Sequence, residues 1–288
     1  MKKSTILRNR LKTGEILVAP GASTALFATL VELAGFEVVY ATGAGIANMQ
    51  FGVPDIGLAT MTEVLETVRR MSDATSLPII ADIDNGHGNA LNTYRTAKEY
   101  TKAGIACLQL EDQVLPKRCG HFDGKNVISA AEMVAKIKAA KDAMSIDPDA
   151  MLMARTDAIA VHGFEDALDR GARYLEAGAD ILFLEAPTSA EQMRTMTSKL
   201  KSYHVANMVE GGKTPLQSNK VMQDMGFNIV LYANAPLKAA VKGTKDILQR
   251  LKETGTTDNC EDLMISMKER NQITRLAEWL ASEKRYSS

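Results

Sequence analysis

Three acidic residues stand where apolar segments of the sequence end, and together they could hold a metal ion. Asp82 and Asp84 follow one apolar run, and Glu111 closes the next. Carboxylates brought together repel one another unless a cation neutralises them or one of them takes a proton. The set contains no sulfur and no obligatory histidine, so it favours Mg²⁺ with retained waters, with Mn²⁺ as the alternative. The competing interpretation is that these carboxylates cap helices or pair with Arg155 and Lys117.

A cysteine with basic neighbours is the second feature that indicates chemistry. Cationic groups lower the pKa of a nearby thiol, which is typical of a reactive cysteine. A glycine beside Cys119 lets its loop bend, so the loop is expected to close over a substrate. An incidental surface thiol is the alternative, whereas Cys107 and Cys260 are predicted to be buried hydrophobic residues. The residues around Cys119 are Lys117, Arg118, Gly120 and His121.

Positive charge and backbone donors are predicted near the same place. Arginine can bind a carboxylate with two parallel hydrogen bonds. The segment Thr42-Gly43-Ala44-Gly45 offers free backbone N–H groups, as anion-binding turns do, although plain turn geometry explains its glycines equally well. With a metal ion, these donors indicate a small substrate with two or more carboxylates, whose hydrogen bonding Asn207 and Thr214 would complete. The basic residues concerned are Arg155, Lys117, Arg118 and Lys213.

Strands and helices that alternate along the chain must position these groups. Eight short runs are almost continuously apolar, as expected for parallel strands covered on both faces. They are Ile16–Ala19, Glu37–Ala41, Pro78–Asp82, Ala106–Glu111, Met151–Arg155, Ile181–Glu185, Val205–Glu210 and Ile229–Tyr232. The intervening segments have apolar residues at helical spacing. They are Thr24–Leu33, Thr62–Met71, Tyr94–Lys102, Ala131–Ala140, Ala167–Ala177, Met193–Leu200 and Lys220–Met225.

Repeated joints of helix, glycine and strand predict an α/β fold, a closed (β/α)8 TIM-type barrel. An open doubly wound sheet would need a glycine-rich phosphate turn after the first strand, and Pro20-Gly21-Ala22-Ser23 is not one. We predict one barrel domain over residues 1–288, with residues 256–288 as a helical C-terminal extension. The charged residues described above fall at the C-terminal ends of the strands, where barrels of this type bind their ligands.

The composition excludes several other classes of protein. The chain has 288 residues, with 34 Lys and Arg against 35 Asp and Glu, which gives no support for nonspecific binding to nucleic acid or anionic membrane. Three cysteines do not make a disulfide framework, so we expect a reducing compartment. No signal-peptide core follows the first residues, and no stretch reaches the roughly 20 apolar residues of a membrane span. We therefore expect a soluble, cytoplasmic protein. His204 is predicted to lie at the surface.

At the positions discussed, the sequence resembles the isocitrate lyase/phosphoenolpyruvate mutase superfamily. The resemblance runs from about Leu7 to Glu269 and is most specific in the cysteine loop and the paired aspartates. It implies a (β/α)8 barrel, often a homotetramer whose last helices are exchanged between subunits, that uses Mg²⁺ to stabilise an enolate of a small α-oxo or α-hydroxy acid. The matching segments are Tyr40–Gly43, Asp82–Gly88, Glu111–Gln113, Lys117–His121, Ala154–Asp157 and Asn207–Pro215.

The same resemblance implies a role for each matching position. Asp82 would bind Mg²⁺ directly, with Asp84 and Glu111 acting through its waters. Tyr40 would lie near the reacting hydroxyl, and Asp55 would lie on a gating loop. The residues expected to bind the di- or tricarboxylate substrate are Thr42, Gly43, Ala44, Asp55, Arg155, Asn207 and Glu210. Those expected to act in catalysis are Cys119, Lys117, Tyr40, Arg155, His121 and Glu185.

The cysteine loop distinguishes branches of this superfamily. Its carbon–carbon lyases carry such a loop, whereas phosphoenolpyruvate mutases and phosphonopyruvate hydrolases lack the cysteine. The resemblance thus implies cleavage of a 2-hydroxydicarboxylate of the 2,3-dimethylmalate or 2-alkylmalate type to pyruvate and a carboxylic acid, with Cys119 protonating the enolate. Methylisocitrate lyase is one alternative, although such lyases have bulkier residues in place of Gly211-Gly212. A mutase of the carboxyphosphonoenolpyruvate or phosphoenolpyruvate type, which forms a C–P bond, is another. A catalytically inactive binding protein is disfavoured by the intact acidic residues and cysteine.

Overall fold

Eight parallel strands form a closed barrel. The structure is a computed structural model that describes residues 1–117, 124–212 and 214–287. Within these residues the strands pair in sequence order, and the last strand pairs with the first. The prediction of a (β/α)8 barrel is therefore confirmed. The strands are β1 (Leu17–Ala22), β2 (Val39–Ala41), β3 (Ile79–Asp82), β4 (Cys107–Glu111), β5 (Met151–Thr156), β6 (Ile181–Leu184), β7 (Tyr203–Asn207) and β8 (Ile229–Tyr232).

The chain divides into two compact units, Met1–Ala235 and Pro236–Ser288. Helices of the first unit are α1 (Lys3–Lys12), α2 (Ala25–Leu33), α3 (Gly43–Phe51), α4 (Met61–Ala74), α5 (Ala90–Lys102), α6 (Ala130–Met144), α7 (Ile159–His162), α8 (Phe164–Glu176), α9 (Ala190–Lys199) and α10 (Asn219–Asp224). The remaining helices are α11 (Ala235–Thr254), a short 3₁₀ turn (Glu261–Leu263), α12 (Met267–Ile273) and α13 (Leu276–Tyr286). In the part of the chain that the structure describes, no helix is both long and apolar enough to cross a membrane.

The pleat of each strand separates the barrel interior from the layer beneath the helices. Successive side chains of a strand point to opposite faces. On β4, Leu108 and Leu110 pack in the outer hydrophobic cluster, whereas Cys107 packs in the inner one. Gln109 and Glu111 share the inward face with Cys107 and are almost completely buried. The interior thus changes from apolar to polar toward the C-terminal ends of the strands.

Helix α1 was not predicted from the sequence, yet it packs against the apolar end of the barrel interior. Leu7 and Leu11 are almost completely buried and belong to the inner cluster, together with Leu17 at the start of β1. Burial of one such side chain contributes roughly 1.5–3 kcal/mol. Removal of the two leucines from water therefore explains why a helix with many charged residues forms here.

The seventh strand begins and ends earlier than predicted. It spans Tyr203–Asn207 rather than Val205–Glu210, because the chain turns after Met208 and Gly212 donates to the carbonyl of Val209 at 2.9 Å. His204 consequently lies inside β7 and is 1% exposed, so the prediction of a surface histidine is wrong. Its Nε2 atom lies 2.8 Å from the carbonyl oxygen of Leu200.

The burial of His204 predicts a pH dependence of stability. Burial lowers its pKa, so the folded protein resists the proton that the unfolded chain accepts below about pH 6.5. The neutral imidazole of His204 therefore contributes fully to the stability of the fold above that pH. This contribution is lost as the pH falls toward the pKa that His204 has in the folded protein, which lies below its ordinary value. We expect the free energy of unfolding in urea to fall between pH 7.5 and pH 5.5, and His204→Gln to remove part of that fall. His162→Gln, which changes an exposed histidine, is the control. Equal pH slopes for all three proteins would contradict the assignment.

Candidate active site

Polar side chains from most of the strands meet around one cavity at the C-terminal end of the barrel. Eight of its lining residues were expected from the sequence, and the structure brings them together. Ala233 and Asn234, which follow β8, were not expected. The lining residues are Tyr40, Thr42, Ala44, Asp55, Asp82, Arg155, Glu185, Asn207, Ala233 and Asn234.

Two aspartates after β3 face the start of α3. The backbone turns at Asp84, whose φ is 49°, and its N–H donates to Asp82 Oδ1 at 3.0 Å. A Cβ placed on Gly43 would lie 3.0 Å from Asp82 Oδ2 and 3.4 Å from Asp84 Oδ1. The two carboxylates therefore converge, as predicted, but a left-handed residue brings them together rather than an extended strand end. Gly43 leaves the space beside them open.

Burial strongly affects the titration of the acidic residues. Desolvation, followed by the neighbouring carboxylate of Asp84, raises the pKa of Asp82 to about 6. Desolvation also raises the pKa of Glu111 well above its ordinary value, and Arg155 offsets this only in part. A cation among these groups would favour their charged forms. The donor set therefore fits a hard divalent metal.

The described carboxylates do not form a complete metal shell by themselves. Within the residues described here, no group of three or more His, Cys, Asp or Glu side chains is close enough to hold an ion. Glu111 Oε1 is buried and receives no hydrogen bond from the described residues. A buried acceptor of this kind is suited to a water or a ligand.

Lys117 lies between two acidic residues at this mouth. Its side chain is 5% exposed, and its ammonium group contacts Asp55 and lies 2.7 Å from Asp84 Oδ1. Burial alone would lower the pKa of Lys117, but the carboxylates of Asp84 and Glu111 outweigh burial and raise it well above its ordinary value. The alternative interpretation, that the carboxylates pair with lysine and arginine, thus describes a real part of the site. Lys117 also ties the segment of Asp55 to that of Asp84.

The glycine-containing segment after β2 is the beginning of α3 rather than an isolated turn. Thr42 caps the helix by accepting a hydrogen bond from Gly45 N at 3.3 Å. The N–H groups of Gly43 and Ala44 are among the first of the helix and have no partner within it. Free N–H groups and the positive end of the helix dipole form a site for a carboxylate. The predicted anion-binding role therefore has a suitable geometry.

Arg155 is held on several sides at the end of β5. Asp157 accepts from its Nε at 2.9 Å and from its Nη2 at 3.1 Å. Its Nη1 lies 3.4 Å from Glu111 Oε2, and its guanidinium carbon lies 5.2 Å from the centre of the Phe183 ring. Asp157 was not assigned a role from the sequence, because its pairing with Arg155 depends on the shape of the chain after β5.

The hydroxyl of Tyr40 has two acceptors within reach. It lies 3.1 Å from Gln109 Oε1 and 3.5 Å from Asp82 Oδ2. Burial, followed by the charge of Asp82, raises the pKa of Tyr40 well above its ordinary value. Tyr40 is therefore a neutral hydrogen-bond donor here. Gln109 was not identified from the sequence, although it lies two residues before Glu111 on β4 and so shares its inward face.

Three other groups in the cavity lining present oxygen atoms to which no described residue donates. Glu185 Oε2, Asn207 Oδ1 and Asn234 Oδ1 are buried and receive no hydrogen bond from the described part of the chain. A buried polar atom without a partner costs roughly 1–3 kcal/mol, so these atoms are suited to a ligand or water. Asn234 follows β8 just as the expected residues follow other strands, so the same reasoning extended to the last strand would have found it.

One expected residue lies away from the cavity, and the structure does not describe some of the others. Glu210 lies in an exposed turn and does not line the cavity. The predictions for the cysteine loop concern residues outside the described parts of the chain, as does the prediction for Lys213. The loop residues concerned are Arg118, Cys119, Gly120 and His121.

Comparison with known proteins agrees with this geometry. The sequence pattern of the family called phosphoenolpyruvate phosphomutase matches residues 7–252. The 2,3-dimethylmalate lyase of Eubacterium barkeri is 43% identical over 288 residues, which are 100% of this chain and 99% of that protein. A 2-methylisocitrate lyase of Shewanella oneidensis is 42% identical over 257 residues, which are 89% of this chain and 88% of that protein.

A solved structure extends the likeness to three dimensions. A crystal structure of 2,3-dimethylmalate lyase, described as a PEP mutase/isocitrate lyase superfamily member, matches with a TM-score of 0.94 and 33% identity. The match covers 99% of this chain and 95% of the other. The superfamily predicted from the sequence is thereby confirmed. The chain belongs to the phosphoenolpyruvate phosphomutase family.

Proposed function

We propose that this protein is a metal-dependent carbon–carbon lyase that cleaves a 2-hydroxydicarboxylate of the 2,3-dimethylmalate or 2-alkylmalate type to pyruvate and a carboxylic acid. The two lyases described above support the enzyme class. The observation that carries the proposal is the convergence of Asp82 and Asp84 on the open N-terminus of α3. A cation and a small carboxylate can bind there side by side, with Arg155 lining the same cavity.

The acidic residues would hold the metal ion. Asp82 would bind it directly, and Asp84 and Glu111 would bind it through water. A donor set made only of oxygen favours Mg²⁺, with Mn²⁺ as the alternative. When bound, the ion supplies positive charge that stabilises negative charge developing on substrate oxygens.

The substrate would be held at both ends. The N–H groups of Gly43 and Ala44 would bind the carboxylate beside the C2 hydroxyl, and Arg155 would bind the other carboxylate. Tyr40 would donate a hydrogen bond to the C2 hydroxyl oxygen. Glu185 Oε2 is buried and accepts no hydrogen bond from the described residues, and it would accept the proton of that hydroxyl.

Cleavage would then follow a retro-aldol course. Loss of the hydroxyl proton turns C2 into the carbonyl carbon of pyruvate as the C2–C3 bond breaks. The electron pair of that bond passes to C3, which leaves the departing acid as an enolate stabilised by nearby positive charge. The Cys119 thiol would protonate this carbon, a role taken from the sequence and the family resemblance. Proton uptake from solvent would restore the thiol.

Two other reactions fit the family. The 2-methylisocitrate lyase at 42% identity favours a tricarboxylate substrate, and the family description favours mutase chemistry at a C–P bond. Release of a 2-oxo acid distinguishes the lyases: pyruvate from 2,3-dimethylmalate and methylisocitrate, and the 2-oxo acid with the matching alkyl group from 2-alkylmalates. Phosphorus NMR on phosphonopyruvate detects the mutase. The proposal also includes a cytoplasmic location and a homotetramer, as the resemblance implies.

Metal removal tests the role of the acidic residues. EDTA is expected to abolish pyruvate release, and Mg²⁺ to restore it. Asp82→Asn should lower kcat/KM by about 100-fold or more, because the metal loses its direct ligand. Asp73→Asn, at an exposed aspartate of α4, is the matched control. Activity that survives both EDTA and Asp82→Asn would refute the metal-dependent reaction.

Substitution of Gly43 separates activity from stability. Alanine stabilises a helix relative to glycine by about 1 kcal/mol, so Gly43→Ala should not lower Tm. Its methyl group would approach Asp82 Oδ2 to 3.0 Å, so kcat/KM should fall about tenfold or more. Gly243→Ala, on α11 with no atom near the added methyl group, should leave kcat/KM unchanged. Full activity of Gly43→Ala would contradict the proposed placement of metal and substrate.

The cysteine prediction is tested by substitution and alkylation. Cys119→Ala should lower kcat by about 10²-fold or more, because the enolate loses its acid. Iodoacetamide should inactivate the wild type and Cys260→Ala at equal rates, since Cys107 and Cys260 are both buried. A Cys119→Ala variant that retains wild-type kcat would exclude the thiol as the proton donor.

A further inference from the structure

A buried lysine and aspartate stand behind the arginine that the proposed function assigns to the substrate. We propose that Lys125 and Asp157 are positioning residues that fix the guanidinium group of Arg155 in the orientation that binds a substrate carboxylate. This inference rests on the proposed function and names two residues that act through Arg155 rather than on the substrate itself.

The hydrogen bonds of Arg155 limit which of its edges can meet a ligand. A guanidinium group has five N–H donors in a fixed plane. Asp157 takes two of them in a bidentate contact, from Nε at 2.9 Å and from Nη2 at 3.1 Å. The Nη1 group remains on the opposite edge, 3.4 Å from Glu111 Oε2. Asp157 thereby determines that Nη1 is the edge directed toward the cavity and the acidic residues.

Asp157 is itself held rigidly by its surroundings. Its side chain is completely buried, and Lys125 Nζ donates to its Oδ1 at 2.8 Å. Its backbone N–H donates to Asp112 Oδ1 at 3.0 Å. The carboxylate therefore cannot rotate without breaking bonds to two cations at once. Because the arginine plane follows the carboxylate plane, this rigidity is transmitted to Arg155.

Burial makes the contact between Lys125 and Asp157 strong. Lys125 is 3% exposed, so solvent screens its charge little, and it offsets the charge of Asp157. Asp157 can therefore orient Arg155 without adding an uncompensated negative charge beside the substrate carboxylate.

A similar group at the opposite end of the barrel provides a matched control. Asp180, just before β6, accepts from Lys141 Nζ at 2.7 Å and from Arg8 Nη2 at 3.3 Å. It also accepts from the backbone N–H of Leu152 at 2.9 Å, so it has a structural role of the same kind. Loss of Lys141 should thus affect folding without affecting the cavity.

The test compares Lys125→Met with Lys141→Met. Methionine replaces the buried lysine stem but removes the charge and the hydrogen bond to Asp157. Calorimetric titration with oxalate in the presence of Mg²⁺ is expected to show about tenfold or weaker binding for Lys125→Met and a change below about twofold for Lys141→Met. Titration with Mg²⁺ alone should give affinities within about twofold for both variants. Lys125→Gln is the second variant should Lys125→Met fold poorly.

A double-substitution cycle decides whether Lys125 acts through Arg155. Lysine at position 155 keeps a positive charge but cannot form the bidentate contact. In an Arg155→Lys background, Lys125→Met is therefore expected to weaken oxalate binding by less than about twofold. The proposal would be overturned if the losses of oxalate affinity caused by Lys125→Met and Arg155→Lys multiplied in the double variant. Equal losses of oxalate affinity in Lys125→Met and Lys141→Met would also overturn it. A wild-type protein that binds oxalate but releases no pyruvate would refute only the proposed function.

Discussion

Buried negative charge that exceeds buried positive charge is the constraint on which the barrel mouth depends. Among the described residues near β3 and β4, Asp82, Asp84 and Glu111 are almost completely removed from water. An isolated charge in such a place is very costly unless a partner or a proton compensates it. Lys117 and Arg155 compensate part of it by direct ion pairs. The raised pKa values of Asp82 and Glu111 indicate the part that remains, and a divalent cation would offset it.

The same constraint explains why the cations of the site are held so firmly. A mobile lysine or arginine could swing toward one carboxylate and leave another unpaired. Lys117 is fixed between two aspartates, whereas Arg155 is fixed by Asp157 and by the ring of Phe183. A site that is already ordered before ligand binding loses little entropy when a small anion binds. Compensation of charge and preparation for the substrate are thus achieved by the same contacts.

The sequence predicted the strands better than the helices that depend on tertiary packing. Strand β8 spans Ile229–Tyr232, the predicted limits, because a strand covered on both faces is marked by a continuous apolar run. Helix α3 was interpreted as a turn, since Gly43 and Gly45 are poor helix formers. Its first turn forms because Thr42 caps it, whereas the glycine at position 43 is explained by Asp82, which a side chain there would crowd.

The residues of the candidate site were likewise predicted only in part. Asp82 and Arg155 were found because charged residues at strand ends stand out in an apolar sequence. The pairing of Asp157 with Lys125 was not found, since 32 residues separate the two and their contact depends on folding. Glu210 was assigned to the cavity because the seventh strand was predicted to be three residues longer at its C-terminal end than it is.

The pleat of β4 has a consequence for how such enzymes diversify. Cys107, near the apolar end, packs with the core, whereas Glu111, two inward positions beyond Cys107, faces the site. A change at the position of Glu111 alters the chemistry at the rim without disturbing the layer of Cys107, which maintains the fold. Descendants of one barrel can therefore acquire new reactions by exchanging rim residues, while the lower layers preserve the scaffold through each step.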